Sequence, residues 1–174
     1  MEPQEKILQT SLELFFKYGI KRVTMDDIAK ELGMSKKTIY HFYKEKDDLV
    51  NQLCEVEMQK QSVLFDKITL EVNNPIHEIM LISQKMREMM QHINPVFFID
   101  LQKYYPTAFS IFQKFKEECA FKDILRNVQE GKKQGIYRSD VNEEFAARHR
   151  LAQIDMLMFG NYFSFESISF TQSH

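Results

Sequence analysis

A short segment near the N-terminus concentrates side chains that donate hydrogen bonds. The donors fall on the outer face of a helix predicted to begin after Ser35, and they are Lys36, Lys37, Thr38, Tyr40 and His41. Lysine, hydroxyl and phenol groups donate to phosphate oxygens, and side chains near the start of such a helix read base edges in the major groove. The segment from Ser35 to Lys46 carries four lysines against one acid. The chemistry offered by these residues is therefore the binding of DNA.

Two short helices joined by a glycine turn are predicted to position these donors. Thr24 can cap the first helix, and Asp27 can accept a hydrogen bond from the N–H of the cap. Gly33 follows the last turn of that first helix. A helix often ends in a residue with left-handed backbone conformation, and glycine adopts this conformation at the least cost. Ser35 caps the second helix. The residues expected to turn inward from that helix are Ile39 and either Phe42 or Tyr43.

The run from Thr24 to Val50 resembles the DNA-binding domain of the TetR (tetracycline repressor) family. It contains T-x-x-x-I-A-x-x-L-G followed by S-x-x-T-I-Y-x-F-Y-x-x-K-x-x-L, and Glu5 to Tyr18 resembles the first helix of that family, closed by Gly19. The resemblance implies an all-α protein, with a three-helix helix-turn-helix domain in residues 1–48 and a helical bundle for ligand binding and dimerisation in residues 49–174. The DNA-binding residues are then Thr24, Ser35, Lys36, Lys37, Thr38, Tyr40, His41 and Lys46.

Residues 49–174 are predicted to form a helical body long enough to bury its own core. A helix from Lys46 to about Val72 would connect it to the N-terminal helices. Prolines punctuate the rest of the body, and the helix starts are expected at Pro75, after Pro95 and at Pro106. Acids near Glu143 then precede a last long helix. No segment alternates as a strand would.

Large apolar side chains cluster around the helices that begin at the prolines. For each single residue, ordinary core packing is the first expectation, because apolar stripes at helical spacing usually bury themselves. Through the TetR resemblance the set becomes a pocket for a small apolar or aromatic ligand, with Asp100, Tyr104 or Tyr105 as its polar anchor. The expected ligand-binding residues are Phe65, Met86, Met89, Phe98, Leu101, Tyr104, Tyr105, Phe109 and Phe112.

Catalytic and metal sites find little support. The histidines at positions 77, 92, 149 and 174 lack ligand spacing, and Cys54 and Cys119 have no obvious activating base. We therefore expect no enzyme activity, no metal and no cofactor. The net charge of −2 confines any DNA affinity to a local basic patch. Without a signal-like segment or an apolar run that could span a bilayer, a cytoplasmic protein without membrane contact is expected.

Two functional hypotheses follow. The first is a homodimeric repressor that holds two recognition helices on a near-palindromic operator and releases it when the pocket fills. The second is a DNA-tethered module whose body binds another protein and has no inducer. Members of the family generally pair through their last two helices, which form a four-helix bundle in the dimer. Here the second of these two helices looks short or absent. Dimerisation is still expected through Leu157, Met158, Phe159, Tyr162 and Phe163, which are too apolar to leave in water.

Overall fold

The computed structural model of the chain describes residues 2–159. The N-terminal helices, here called the head, are α1 (Pro3–Tyr18), α2 (Met25–Glu31) and α3 (Lys36–Phe42). The remaining helices, here called the body, are α4 (Lys46–Glu71), α5 (Pro75–Met90), α6 (Val96–Tyr104), α7 (Pro106–Phe115), α8 (Phe121–Lys133) and α9 (Glu143–Phe159). A π-helical turn, Lys116–Ala120, joins α7 to α8. Residues 2–159 contain no strand, and the predicted all-α class with an N-terminal helix-turn-helix is confirmed.

Local capping sets the ends of the short head helices. The Thr24 hydroxyl accepts from the Asp27 N–H at 3.1 Å, and the Thr24 N–H donates to the Asp27 carboxylate at 2.8 Å. At α3 the Ser35 hydroxyl accepts from the Thr38 N–H at 3.1 Å. Gly33, with φ +62°, turns the chain between the two helices. These contacts span three residues or fewer, so the sequence determines both helix starts.

The long helix α4 leads from the head into the body. It begins at Lys46 and ends at Glu71, close to the predicted end at about Val72. The Asn74 side chain then caps α5 by accepting from two backbone N–H groups, and Pro75 occupies the first turn of that helix. The expected domain boundary between residues 48 and 49 lies within the first turn of α4.

One hydrophobic core runs through the head and the body. Ile7 and Phe15 of α1 are fully buried in it, as is Leu49 of α4, and Leu101 of α6 is 2% exposed. The same core includes Phe98. Because α1 packs on α4 and on α6, a displacement of either body helix changes the surface on which the head rests.

Polar contacts fix the corner after α1 to the start of α6. The Asn94 N–H donates to the Phe16 carbonyl at 2.7 Å, and the Lys21 N–H donates to the Asp100 carboxylate at 2.8 Å. Asp100 is 5% exposed, so this hydrogen bond compensates its burial. Asp100 therefore stabilises the junction between head and body.

Gly19 offers a test of that junction. Its φ of +83° lies in a region almost restricted to glycine, and an added Cβ would lie 2.8 Å from Val96 Cγ1. Gly19→Ala is therefore expected to lower the free energy of unfolding by about 3 kcal/mol, through backbone strain and overpacking together. Gly33 also has positive φ, but its Cβ would meet nothing within 4 Å. Gly33→Ala is the matched control, with an expected decrease of about 1 kcal/mol. Urea unfolding followed by circular dichroism measures both, and equal decreases would show that the junction is not tightly packed.

The last described helix corrects part of the expected dimer surface. Met158 and Phe159 pack against the core and are partly buried within the chain itself. The Phe159 ring lies edge-on to those of Phe98 and Phe109, with centroid distances of 5.7 and 5.6 Å. Leu157 is 37% exposed. Tyr162 and Phe163 lie outside the described residues.

Candidate nucleic-acid interface and interior cavity

The recognition helix α3 buries one face and presents the other. Ile39 is fully buried and Tyr43 is 2% exposed, whereas Phe42 is 36% exposed. Of the two alternatives left open by the sequence, Tyr43 is thus the inward residue, since it follows Ile39 by one helical turn. The exposed residues are Lys36, Lys37, Tyr40 and His41, and Thr38 is half-buried.

The two lysines of the first turn differ in their surroundings. Lys36 forms an ion pair of 2.7 Å with Asp26 of α2, and this partner raises the pKa of the ammonium group. Among the described residues Lys37 makes no ion pair. Lys37 is therefore the more available cation, because a phosphate competes with no carboxylate for it.

The aromatic groups of α3 form the rest of the exposed face. Tyr40 is 40% exposed, and the Lys36 ammonium lies 5.9 Å from its ring centroid. His41 contacts the ring of Phe42 edge-on at 5.3 Å. The phenol and imidazole groups can donate hydrogen bonds from this side of the helix.

The capping hydroxyls are already engaged. The Thr24 hydroxyl donates to Asp27 at 2.7 Å, and the Ser35 hydroxyl lies 2.8 Å from that of Thr38. Both capping residues are exposed. A hydroxyl that is used in a cap contributes to an interface chiefly by holding the helix start in place.

The structure places Lys46 differently from the other predicted DNA-binding residues. Its ammonium group donates to the carbonyl of Ile20 and lies near the rings of Phe15 and Tyr105, at 5.6 and 5.7 Å from their centroids. Burial lowers the pKa of Lys46, and nearby carboxylates including Asp100 counteract it. The prediction that Lys46 belongs to the DNA-binding surface is therefore corrected, because its charge is directed into the junction between head and body.

An apolar cavity of about 50 Å³ lies between the head and the body. Helices α1, α4, α5, α6, α7 and α9 contribute to its wall. Four of the predicted ligand-binding residues line it, namely Met89, Phe98, Leu101 and Phe112. Glu57 and Gln61 are its polar lining residues. Burial raises the pKa of Cys54, another lining residue, to about 12, so its thiol stays protonated.

A second cavity of about 70 Å³ lies between α4, α5, α8 and α9. Phe65 and Met86 line this cavity and not the first. Its wall also contains Asp123, whose pKa is raised by burial, and Arg150, which donates to the Ser83 hydroxyl at 3.2 Å. The predicted residues therefore do not share one pocket, because Phe65 and Met86 line a different space from the four that line the first cavity.

Three further predicted ligand-binding residues line neither cavity. Tyr104 is 38% exposed at the molecular surface, Tyr105 is buried beside Lys46, and Phe109 packs behind Phe112 at a centroid distance of 6.4 Å. Asp100, expected as a polar anchor, instead binds the Lys21 N–H. Both tyrosines lie at the end of α6, where the chain turns into α7, and neither lines the cavity.

Sequence reasoning missed the contribution of α1 to the first cavity. Leu12 and Phe16 line it, although both belong to the head. The sequence carried a signal, because α1 has a second apolar row beside Ile7 and Phe15. One apolar row is enough for α1 to close the three-helix core of the head, so the second row indicates a further contact of this helix.

Similarity to known proteins agrees with this architecture. The profile of the family described as bacterial regulatory proteins, tetR family, matches residues 7–53. YvaF of Bacillus subtilis, an uncharacterised HTH-type transcriptional regulator, is 31% identical over 140 residues, which cover 78% of this chain and 70% of YvaF. No helix in residues 2–159 is long and apolar enough to cross a membrane.

Solved structures of the same fold cover nearly the whole chain. A TetR transcription regulator from Haloarcula marismortui has a TM-score of 0.72 and 19% identity, over 94% of this chain and 90% of that one. The transcriptional regulator FadR from Bacillus subtilis, in complex with stearoyl-CoA, has a TM-score of 0.71 and 16% identity, over 94% of this chain and 92% of that one. With the helix-turn-helix geometry and the similarity to YvaF, the chain belongs to the TetR family of DNA-binding transcriptional regulators.

Proposed function

We propose that the protein is a cytoplasmic homodimeric repressor that leaves a near-palindromic operator when a small apolar ligand enters the cavity between head and body. The observation that carries the DNA-binding part is the outer face of α3, where Lys37, Tyr40 and His41 are exposed while Ile39 is fully buried. A buried anchor holds the helix rigidly and leaves its donors available to the major groove.

The lining of the cavity supports an apolar ligand. Phe98, Leu101 and Phe112 offer it no hydrogen bond, and Asp100 is engaged elsewhere. Pockets for drug-sized ligands are about 300–1,000 Å³, so the 50 Å³ cavity must expand on binding. Met58, Met89 and Met158 line it, and their unbranched side chains can change rotamer at little cost. The stearoyl-CoA complex of FadR, a protein of the same fold, is consistent with an apolar chain in this region.

The position of Leu12 and Phe16 supports direct coupling to DNA binding. Both lie on α1, so a ligand that widens the cavity pushes on the head as well as on α4. Such a ligand must prefer the state that does not bind DNA, since equal affinity for both states shifts nothing.

Exposed apolar residues on α9 support the dimer. Met156 is 45% exposed, Leu157 is 37% exposed and Phe145 is 70% exposed. A second copy that covers this surface removes apolar area from water, and a two-fold pair of heads matches a near-palindromic site.

The experiment begins with a duplex selected by the full chain from a random-sequence pool. Titration of this duplex is expected to show two chains per site. A panel of fatty acids, acyl-CoA thioesters and aromatic hydrocarbons is then screened for one that lowers operator affinity by about tenfold or more. Failure of every compound would overturn the ligand part of the proposal.

Cys54→Leu provides the matching variant, because Cys54 is 5% exposed and lines the cavity. The added methyl groups occupy space that the ligand needs. We expect operator binding to persist while the response to the active compound falls at least tenfold. Cys119→Leu is the control, since Cys119 lies in the π-helical turn outside the cavity. An equal response in both variants would place the ligand elsewhere.

The protein-interaction module is the second candidate, and exposed apolar residues favour it. Leu70 of α4 is 84% exposed and Val63, two turns earlier, is 63% exposed. On α5, Met80 is 63% exposed. Such residues at helical spacing can meet a partner. This candidate predicts that the chain still selects a duplex from the pool and that no compound of the panel changes its affinity. It also predicts that Leu70→Glu changes operator binding when the partner protein is present.

A further inference from the structure

Two exposed tyrosines at the junction of head and body are each accompanied by two cations. The Lys21 ammonium lies 4.2 Å from the ring centroid of Tyr104, and that of Lys103 lies 5.4 Å from the same centroid. Lys17 and Arg22 lie 5.0 and 5.8 Å from the ring of Tyr18. Within residues 2–159 none of these cations makes an ion pair.

The two halves of this surface differ in their acidic neighbours. Tyr18 and Arg22 share a groove with Lys30, Asp27 and Glu31, and the two acids offset the charges of Arg22 and Lys30. The half around Tyr104 contains Lys21 and Lys103, and the proximity of their ammonium groups lowers the pKa of the Tyr104 phenol. Asp100, which accepts from the Lys21 N–H, is buried, so the exposed charges beside Tyr104 are those of the two lysines and this half is the stronger site for an anion.

Head and body each supply one lysine to the Tyr104 half. Lys21 belongs to the corner between α1 and α2, whereas Lys103 lies near the end of α6. Their relative position is fixed because the Lys21 N–H binds buried Asp100, three residues before Lys103 on α6. Both ammonium groups lie within 5.4 Å of the centroid of the Tyr104 ring, so the two cations are already close together before an anion binds.

The position of Lys21 points to a particular anion. It lies three residues before Thr24, which caps α2, the first helix of the helix-turn-helix. In such motifs the first helix crosses the sugar-phosphate backbone while the second enters the major groove. Lys21 therefore lies next to the start of the helix that crosses the backbone in such motifs.

We propose that Lys21 and Lys103 bind phosphates of duplex DNA that flank the half-site contacted by α3. This inference rests on the proposed function, and it gives the body a direct contact with DNA. A ligand that moves α6 would withdraw Lys103 from the backbone while it displaces the head. Release of the operator would then include the breaking of a phosphate interaction that carries no sequence information.

The test compares two forms of the selected duplex, one trimmed at the ends of the half-sites and one extended by ten base pairs on each side. Lys103→Gln is expected to weaken binding to the extended duplex about 3- to 10-fold at 50 mM KCl and to leave the trimmed duplex unaffected. Between 50 and 200 mM KCl, the slope of log affinity against log salt should decrease by about 0.9 for each phosphate that the variant no longer neutralises. Lys21→Gln should behave alike, and Lys103→Arg should retain wild-type affinity.

Lys114→Gln on α7 is the matched control, because Lys114 is an exposed lysine that belongs neither to the head nor to α6. Equal affinity of Lys103→Gln and Lys114→Gln for the extended duplex would overturn the inference. Lys37→Ala is measured in parallel to separate the two proposals. If Lys37→Ala weakens both duplexes while Lys103→Gln weakens neither, only the flanking contact fails. If Lys37→Ala also has no effect, the proposed function itself fails.

Discussion

Lys37→Ala is expected to weaken binding of the selected operator by about 10- to 100-fold at 100 mM salt. Lys37 is exposed in the first turn of α3 and makes no ion pair among residues 2–159, so its ammonium group is available to a phosphate or a base edge. One such interaction contributes about 1 kcal/mol at the lower end of its usual range, and a dimer loses it twice, which corresponds to roughly 30-fold in affinity. Tyr40→Phe should give a smaller decrease in affinity, because it removes the hydroxyl group and keeps the ring.

Asp26→Asn gives the opposite expectation on the same surface. Asp26 holds Lys36 in an ion pair of 2.7 Å, so its neutralisation frees that lysine and removes a negative charge near DNA. Operator affinity is expected to rise a few-fold.

Lys122→Ala on α8 is the control for general charge removal. Fluorescence anisotropy with the labelled duplex measures affinity, and circular dichroism verifies unchanged helicity. Unchanged affinity in both Lys37→Ala and Tyr40→Phe would contradict the assignment of α3.

A second large effect on stability, besides that of Gly19→Ala, is expected at Glu78, a 3% exposed acid on α5. It accepts hydrogen bonds from Thr69 of α4 at 2.8 Å, from Asn127 of α8 at 2.8 Å, and from Arg126 of α8. Glu78→Ala removes the common acceptor and leaves the donors without a partner. We expect a decrease of about 3 kcal/mol in the free energy of unfolding. This value is at the lower end of the cost of breaking a buried ion pair, because the Arg126 side chain is 40% exposed.

Glu88→Ala on the same helix is the matched control. Glu88 is exposed and pairs with Lys85 at 2.8 Å, so water replaces that contact and little change in stability is expected. Urea unfolding at neutral pH measures both variants. Similar decreases would show that the Glu78 network does not stabilise the body.

The Glu78 network also predicts a dependence of stability on pH. Burial opposes the charged form, but hydrogen bonds from Arg126, Thr69 and Asn127 outweigh it and lower the pKa of Glu78 below its ordinary value of 4.5. The contribution is therefore complete above pH 4.5 and is lost as the pH falls through the lower, folded-state pKa. Wild type should lose more stability than Glu78→Gln between pH 5 and 3, and parallel pH profiles would contradict this reasoning.

Much of the candidate interface was predictable because it depends on contacts close in sequence. Asp27 lies three residues after Thr24, and Thr38 three residues after Ser35, so the capping residues themselves define the helix starts. The alternation of buried Ile39 with exposed Lys37 and Tyr40 follows from helical periodicity. The family pattern needs no tertiary information either, since it lies in one continuous run.

The interior was less predictable, because apolar side chains do not specify which space they face. Periodicity identified Met86 and Met89 as inward residues of α5, yet one lines the second cavity and the other the first. The difference depends on how α5 packs against α4 and α8, which is a matter of distances between helices. The same holds for Tyr105, whose burial beside Lys46 requires the turn between α6 and α7.

The sequence by itself therefore determined the helices, their caps, the family and the donors of α3, since these depend on neighbours within about one helical turn. The tertiary structure alone decided the partners of charged groups that are far apart in the chain. Asp100 binds the N–H of Lys21, 79 residues earlier, and Lys46 binds the carbonyl of Ile20 across the junction. No local rule selects such pairs, because burial and backbone geometry at the packed interface decide which donor reaches which acceptor.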